Sequence, residues 1–172
     1  NGLSLDTLRQ GGFFTSEAKR RIPGASSTAT ARSLVDFLIR LERGLLVDGF
    51  SSLELKRLMY LTDRRIRYAS SPALESSAVY FKSGSLYRCA PEPGFECKKY
   101  HGNVENIMNS VAIVESSTGE ARSLFYLVAV TSNVLRKNSA AEHQALGTRI
   151  HRLIEARHAR PESTDQKLPP KR

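Results

Sequence analysis

The spacing of hydrophobic and polar positions changes period once along this chain, and the change divides it into a helical part and a strand part. Between Thr28 and Leu46, Leu34, Phe37, Leu38, Leu41 and Leu45 recur at helical spacing, with Arg32, Asp36, Arg40 and Arg43 mostly on other faces. Gly44 is placed to end that helix. Ser51 with Glu54 three residues later matches a capping box, and Leu55, Leu58 and Met59 give the next helix its buried side. A basic connector, Arg64-Arg65-Ile66-Arg67, and a loop at Ser70-Ser71-Pro72 come next. The period then becomes that of strands: one over roughly 77–87, a second at Ser110-Val111-Ala112-Ile113-Val114, and a third from Leu124 to Val130. Ser116-Ser117-Thr118-Gly119-Glu120 reads as the hairpin turn between the last two. A final helix begins near Ser139, with Glu142 three residues on and Leu146, Ile150, Leu153 and Ile154 on its apolar side.

The ends of the chain are less patterned. Residues 1–26 carry Gly11-Gly12 and Pro23-Gly24 and read as loop with one short helix. From Pro161 the sequence is polar and basic, so residues 161–172 are expected to form a disordered tail behind a domain of residues 1–160. The third strand sets a problem. Strands consecutive in sequence usually pair, which puts Leu124 to Val130 at a sheet edge. It is nevertheless a run of seven apolar residues, which suits a central strand covered on both faces. The sheet is therefore expected to be incomplete within this chain.

Composition adds bounds. At 172 residues, 40% hydrophobic and 25% charged, the chain has ordinary globular usage and enough length for a real core. No apolar run approaches the roughly 20 residues that a membrane-spanning helix needs. The first residues, Asn1-Gly2, lack an initiator Met and a signal-peptide pattern, which suggests a processed product or a piece of a longer protein. The formal charge of +9 and pI near 9.9 favour acidic partners. The basic residues punctuate several helices rather than one stripe, so a solvated surface is preferred to nucleic-acid binding.

Cys89 and Cys97 are the only two cysteines, and they flank a turn-rich loop containing Pro91, Pro93 and Gly94. A disulfide between them would suit an oxidising compartment, and two free thiols are the alternative. They supply only half of a structural zinc site, with His101 at most a third ligand, so no metal or other cofactor is expected. His143, His151 and His158 read as surface residues of the last helix.

The chemistry-bearing stretch is Ala78-Val79-Tyr80-Phe81-Lys82-Ser83-Gly84-Ser85-Leu86, an apolar strand that carries Lys-Ser-Gly in its middle. A lysine, a small hydroxyl residue and a glycine at a strand edge can bind a carboxylate and let an extended substrate pair with the backbone. Ile22-Pro23-Gly24, the helix from Thr28 to Leu46, the helix and basic exit over 51–67, and Lys82-Ser83-Gly84 stand in an order that resembles the C-terminal half of class A β-lactamases and related penicillin-recognising serine hydrolases. The resemblance covers about residues 20–157.

It implies an α/β (α+β) sandwich, an antiparallel sheet with flanking helices. It further implies acyl transfer on amide or ester bonds, with β-lactams or peptidoglycan peptides as the small-molecule or peptide substrates. By resemblance, Lys82 supplies positive charge, Ser83 hydrogen-bonds the substrate carboxylate, and Gly84 permits close approach. The backbone N–H of Ser85 forms half of an oxyanion hole, a contribution of about 3 kcal/mol per donor in such enzymes. The family's nucleophile lies in Ser-x-x-Lys. The single literal match, Ser16-Glu17-Ala18-Lys19, falls just before Ile22-Pro23-Gly24 rather than well upstream, and is read as coincidence. No Ser-Asp-Asn occurs, and Thr15 stands where class A enzymes keep a glutamate, with Glu17 out of register. The expectation is a chain inactive alone, completed by an N-terminal portion or second chain and placed in the periplasm or outside the cell. The rivals are a non-catalytic module of the same fold that binds cell-wall peptide or a protein, and a basic nucleic-acid-binding protein.

Overall fold

The computed structural model describes residues 29–116 and 124–159. Every described helix and strand belongs to one unit, Ala31–Arg172. Ser16, Lys19, the hairpin turn and the expected tail lie outside the described residues.

Helix α1 is Ala31–Glu42 and α2 is Gly49–Tyr60. Two single 3-10 turns, Arg67–Ser70 and Pro72–Leu74, lead into the strands β1 (Ala78–Arg88), β2 (Glu105–Ser116) and β3 (Leu124–Asn133), and α3 (Ser139–His158) closes the unit. The strands form one antiparallel sheet in the order β1-β2-β3. This is the mixed helix-and-sheet class read from the sequence, with β3 at an edge as sequential pairing requires. β2 runs five residues further toward its N-terminus than the apolar run predicts, because Glu105 to Asn109 pair with β1 although their side chains are mixed.

Helices cover both faces, and strand alternation sorts the core between them. On one face Val79, Phe81, Ala112, Val114, Leu124 and Tyr126 pack with Tyr68, Ala69 and Leu74 of the 3-10 turns and with Ile150 and Ile154 of α3. On the other, Ile113 with Tyr80, Val111 and Leu127 packs against Leu38, Leu41 and Met59 of α1 and α2. Ala112 and Ile113 are consecutive, point to opposite faces and are both fully buried. The apolar run on β3 thus has its explanation in two helical layers: Leu124 and Tyr126 are buried under one of them and Leu127 partly under the other. Phe125 remains half-exposed.

The caps differ in detail from the sequence reading. Gly44 ends α1 with φ of 71°, and Leu45 N–H donates to Arg40 while Gly44 N–H donates to Leu41, a Schellman pair. The α2 cap is Asp48, whose carboxylate accepts from Ser51 N–H at 2.6 Å, not Ser51 itself. Ser52 is buried instead, donating to Leu46 and Asp48 carbonyls, so the inner side of α2 is narrow. Leu58 consequently faces out, as do Phe50 and Leu53. Lys56 joins the layers: its ammonium bonds Glu42 of α1 at 2.9 Å and Glu115 of β2 at 3.0 Å, and lies 4.5 Å from the Tyr80 ring centroid.

Asn138, not Ser139, caps α3 by accepting from Ala140 and Ala141 N–H. Leu153 is exposed, while His143 and His151 are fully buried. The surface reading of these two histidines is corrected by the structure. Each of their rings reaches a hydroxyl across the helix–sheet interface, so the polar side of α3 faces inward as well. Gly147 makes that approach possible, since a Cβ there would stand 2.8 Å from the Tyr68 carbonyl oxygen.

Candidate functional site

β1 is an edge strand, paired with β2 alone among the described residues. Along such an edge, alternate residues turn their N–H and C=O groups outward, where an extended ligand can pair with them. Lys82, Ser83, Gly84 and Ser85 occupy the middle of this strand, opposite Val111, Ser110, Asn109 and Met108. Nothing stands within 4 Å of a Cβ built on Gly84, so the strand there is open to close approach.

Alternation places Ser83 and Ser85 on the α3 face of the sheet and Lys82 on the other. The Lys82 ammonium is exposed and donates to the Ser83 carbonyl at 2.7 Å. The two hydroxyls are joined by a residue that sequence reading treated as connector. Arg67 Nη1 donates to Ser83 Oγ at 2.9 Å and Nη2 to Ser85 Oγ at 3.1 Å. Arg67 is 8% exposed, and its Nε has no hydrogen-bond partner. A φ of 55° turns its backbone into the left-handed region, and this delivers the side chain beneath β1. Nothing in the local sequence signals that conformation. The only cue was the density of basic residues immediately before the strand.

The guanidinium also stacks 4.8 Å from the Tyr100 ring centroid. Tyr100 is held by the start of α3, since its carbonyl accepts from both the N–H and the hydroxyl of Ser139. Its phenol is drawn below the ordinary tyrosine pKa, first by Arg67 and also by Lys99. A cleft of about 490 Å³ opens here, bounded by Arg64, Arg65, Arg67, Lys99, Tyr100 and the first turn of α3.

Behind the same sheet face lies a second polar group. His143 Nδ1 meets Ser110 Oγ at 2.9 Å and Nε2 meets Ser132 Oγ at 2.8 Å. Burial, and then the nearby Arg67 charge, hold this imidazole below its usual pKa, so it is neutral at pH 7. Ser110 is the cross-strand neighbour of Ser83, which sets the Arg67–Ser83 bond beside the Ser110–His143 bond on one face of the sheet. Deeper in the core, Tyr126 hydroxyl bonds His151 Nδ1 at 3.0 Å and Tyr68 at 3.4 Å, and burial raises both phenols.

The loop after β1 is stapled. Cys89 and Cys97 form a disulfide, with their Cα atoms 6.1 Å apart. Asn103 bonds the N–H and C=O of Ala90 together with the Glu92 carboxylate, and Glu92 pairs with Arg136 at 3.0 Å. These contacts fix the base from which Lys99 and Tyr100 project. Among the described residues no His, Cys, Asp and Glu group is arranged to hold a metal ion, and no helix is long and apolar enough to cross a membrane. Comparison with protein-family models and with curated proteins finds no match.

Proposed function

We propose that the β1 edge binds the carboxylate of an acyl substrate, as the substrate-binding part of a β-lactamase-like serine hydrolase that transfers acyl groups from β-lactams or peptidoglycan peptides. One observation carries this reading: the buried Arg67 guanidinium donates to the hydroxyls of both Ser83 and Ser85. An oxygen that accepts from a cation is left with its own proton to donate outward, toward an anion. Ser83 and Ser85 are therefore the direct contacts, Lys82 adds positive charge at the exposed edge, and Arg67 acts through the serines. The outward N–H groups of β1 align an extended substrate and, at Ser85, supply half of an oxyanion hole. The nucleophile belongs to another part of the protein, and Ser16 is a coincidental match to its motif. The Cys89–Cys97 disulfide supports a periplasmic or secreted setting.

The test is exposure of the full-length protein to a labelled penicillin and to a labelled acyl-D-alanyl peptide. Covalent labelling that falls at least tenfold in Ser83→Ala and in Lys82→Ala, with the fold retained, is the expected result. Reversible binding without labelling would instead favour a non-catalytic module that uses the same edge. Labelling and binding unchanged in both variants would remove the role of this edge.

A further inference from the structure

The cleft beside the β1 edge has a charge imbalance that a single bound carboxylate leaves unresolved. Arg64, Arg65, Arg67 and Lys99 line it together with Ser70, Tyr100 and Gln144, and no Asp or Glu is among its described lining residues. Arg65 is committed to structure, donating to the Leu74 and Ser77 carbonyls at 2.8 and 2.6 Å. Arg67 is nine-tenths buried, makes no ion pair among the described residues, and keeps an unpartnered Nε–H. A buried cation facing neutral hydroxyls and one aromatic ring is costly unless a counter-charge is supplied. The imbalance is sharpened at Tyr100, where Arg67 and Lys99 lie 4.8 and 5.1 Å from the centroid of one ring. Two like charges thus share one aromatic ring.

The first turn of α3 completes the wall with Asn138, Ala140 and Ala141. Its N–H groups at Ala140 and Ala141 are already taken by Asn138, so the helix adds its dipole and no free donors. Arg64 and Lys99 are exposed and enter no ion pair among the described residues. The volume of about 490 Å³ is many times that of one carboxylate.

We propose that this cleft seats a second acidic group, so that the ligand of the β1 edge is a dianion. One carboxylate lies at the hydroxyls of Ser83 and Ser85, which Arg67 supports from behind, and a second carboxylate or a phosphate lies against Arg64 and Lys99. The placement of the first carboxylate rests on the substrate-binding role proposed for β1; the second site rests on the cleft itself. Substrates with a single acidic group would then be poor ones, and the class selected is a peptide or acyl compound with two.

The chain is titrated at pH 6 and low ionic strength with acetate, glutarate and 3-phosphonopropionate, following amide chemical shifts. Glutarate or 3-phosphonopropionate, each with one carboxylate and a second acidic group, should bind at least tenfold more tightly than acetate, and the better of the two identifies a carboxylate or a phosphate-like group at the second position. The double variant Arg64→Gln, Lys99→Gln should bring the dianion to the affinity of acetate and leave acetate unchanged. Arg152→Gln, Arg157→Gln removes equal charge from the far end of α3 and should change neither. Equal affinity for one and two charges, or an equal loss in the control variant, would overturn the proposal. Dianion binding abolished by the cleft variant but untouched by Ser83→Ala would sink the edge reading and uphold the second site.

Discussion

Arg67 and Ser83 are 16 residues apart in sequence and 2.9 Å apart in space, and the contact ties a single 3-10 turn to the middle of β1. A left-handed backbone at Arg67 makes that contact possible, with φ of 55°. For a side chain with a Cβ this conformation costs about 1–2 kcal/mol, while glycine is nearly free of the penalty. Two variants separate backbone from side chain. Both Arg67→Ala and Arg67→Gly lose the two serine contacts, but Arg67→Gly should be the more stable by about 1 kcal/mol in chemical denaturation. Equal stabilities would show that the strain is not at this residue.

The neutral, buried state of His143 gives stability a pH dependence with a defined sign. Its folded pKa is lowered by burial and by Arg67, whereas the unfolded imidazole titrates near 6.5. Below about pH 6.5 the unfolded chain takes up a proton that the folded chain refuses. Stability is therefore full above that pH and declines as pH falls toward the folded pKa. His143→Gln, which can keep one serine contact, should flatten that part of the curve. A profile that keeps the same slope in the variant would assign the effect to other groups.

Gly147 lets α3 lie directly on the first 3-10 turn. Alanine favours a helix interior by about 1 kcal/mol, yet its Cβ would meet Tyr68 backbone oxygen at 2.8 Å and Ser71 Cβ at 2.9 Å. Backbone cannot swing aside as a side chain can, so the clash wins. Gly147→Ala should lower stability by about 1–3 kcal/mol, measured by thermal or urea unfolding.

Closing a loop as short as that between Cys89 and Cys97 stabilises by about 2–3 kcal/mol in the chain-entropy account. Counting thiols in the denatured, unreduced protein should find none. Reduction, or Cys97→Ala, should lower the unfolding free energy by that amount. Reactive thiols in the unreduced protein would contradict the bond.

Leu45, Val47, Phe50, Leu53 and Leu58, from α2 and the loop before it, are all more than half exposed, and β3 is paired with β2 alone among the described residues. Together they favour self-association of the isolated chain. Sedimentation at rising concentration should show it, and Phe50→Lys with Leu53→Lys should weaken it. A monomer at all concentrations would count against an unmet partner for these surfaces.

Sequence periodicity located every described strand and three helices because burial is written into hydrophobic spacing. Leu38, Leu41 and Met59 were legible in this way, as was Gly44 at its helix end. Polar residues that turn inward carry no such mark. Ser52, His143 and His151 look like surface positions until their partners on other elements are known. The site divides likewise. Lys82-Ser83-Gly84 announces itself as a tripeptide, whereas Arg67 gains its position from one backbone angle, and Tyr100 from the start of a helix 39 residues away. Asp48 holds the cap expected of Ser51 because the helix begins at Gly49, three residues earlier than the capping box implies, which puts Ser51 inside it as the donor to the Asp48 carboxylate.

β2 and the outer half of β1 live under opposite constraints. Seven of the twelve residues of β2 are buried, on both faces, while every residue of β1 from Gly84 to Arg88 is exposed. Apart from Ser85, whose hydroxyl accepts from the buried Arg67, descendants of this sequence are therefore free to rewrite 84–88 with little effect on folding, but not the strand alongside. Selectivity for what docks on the edge can drift quickly while the scaffold that presents it stays almost fixed.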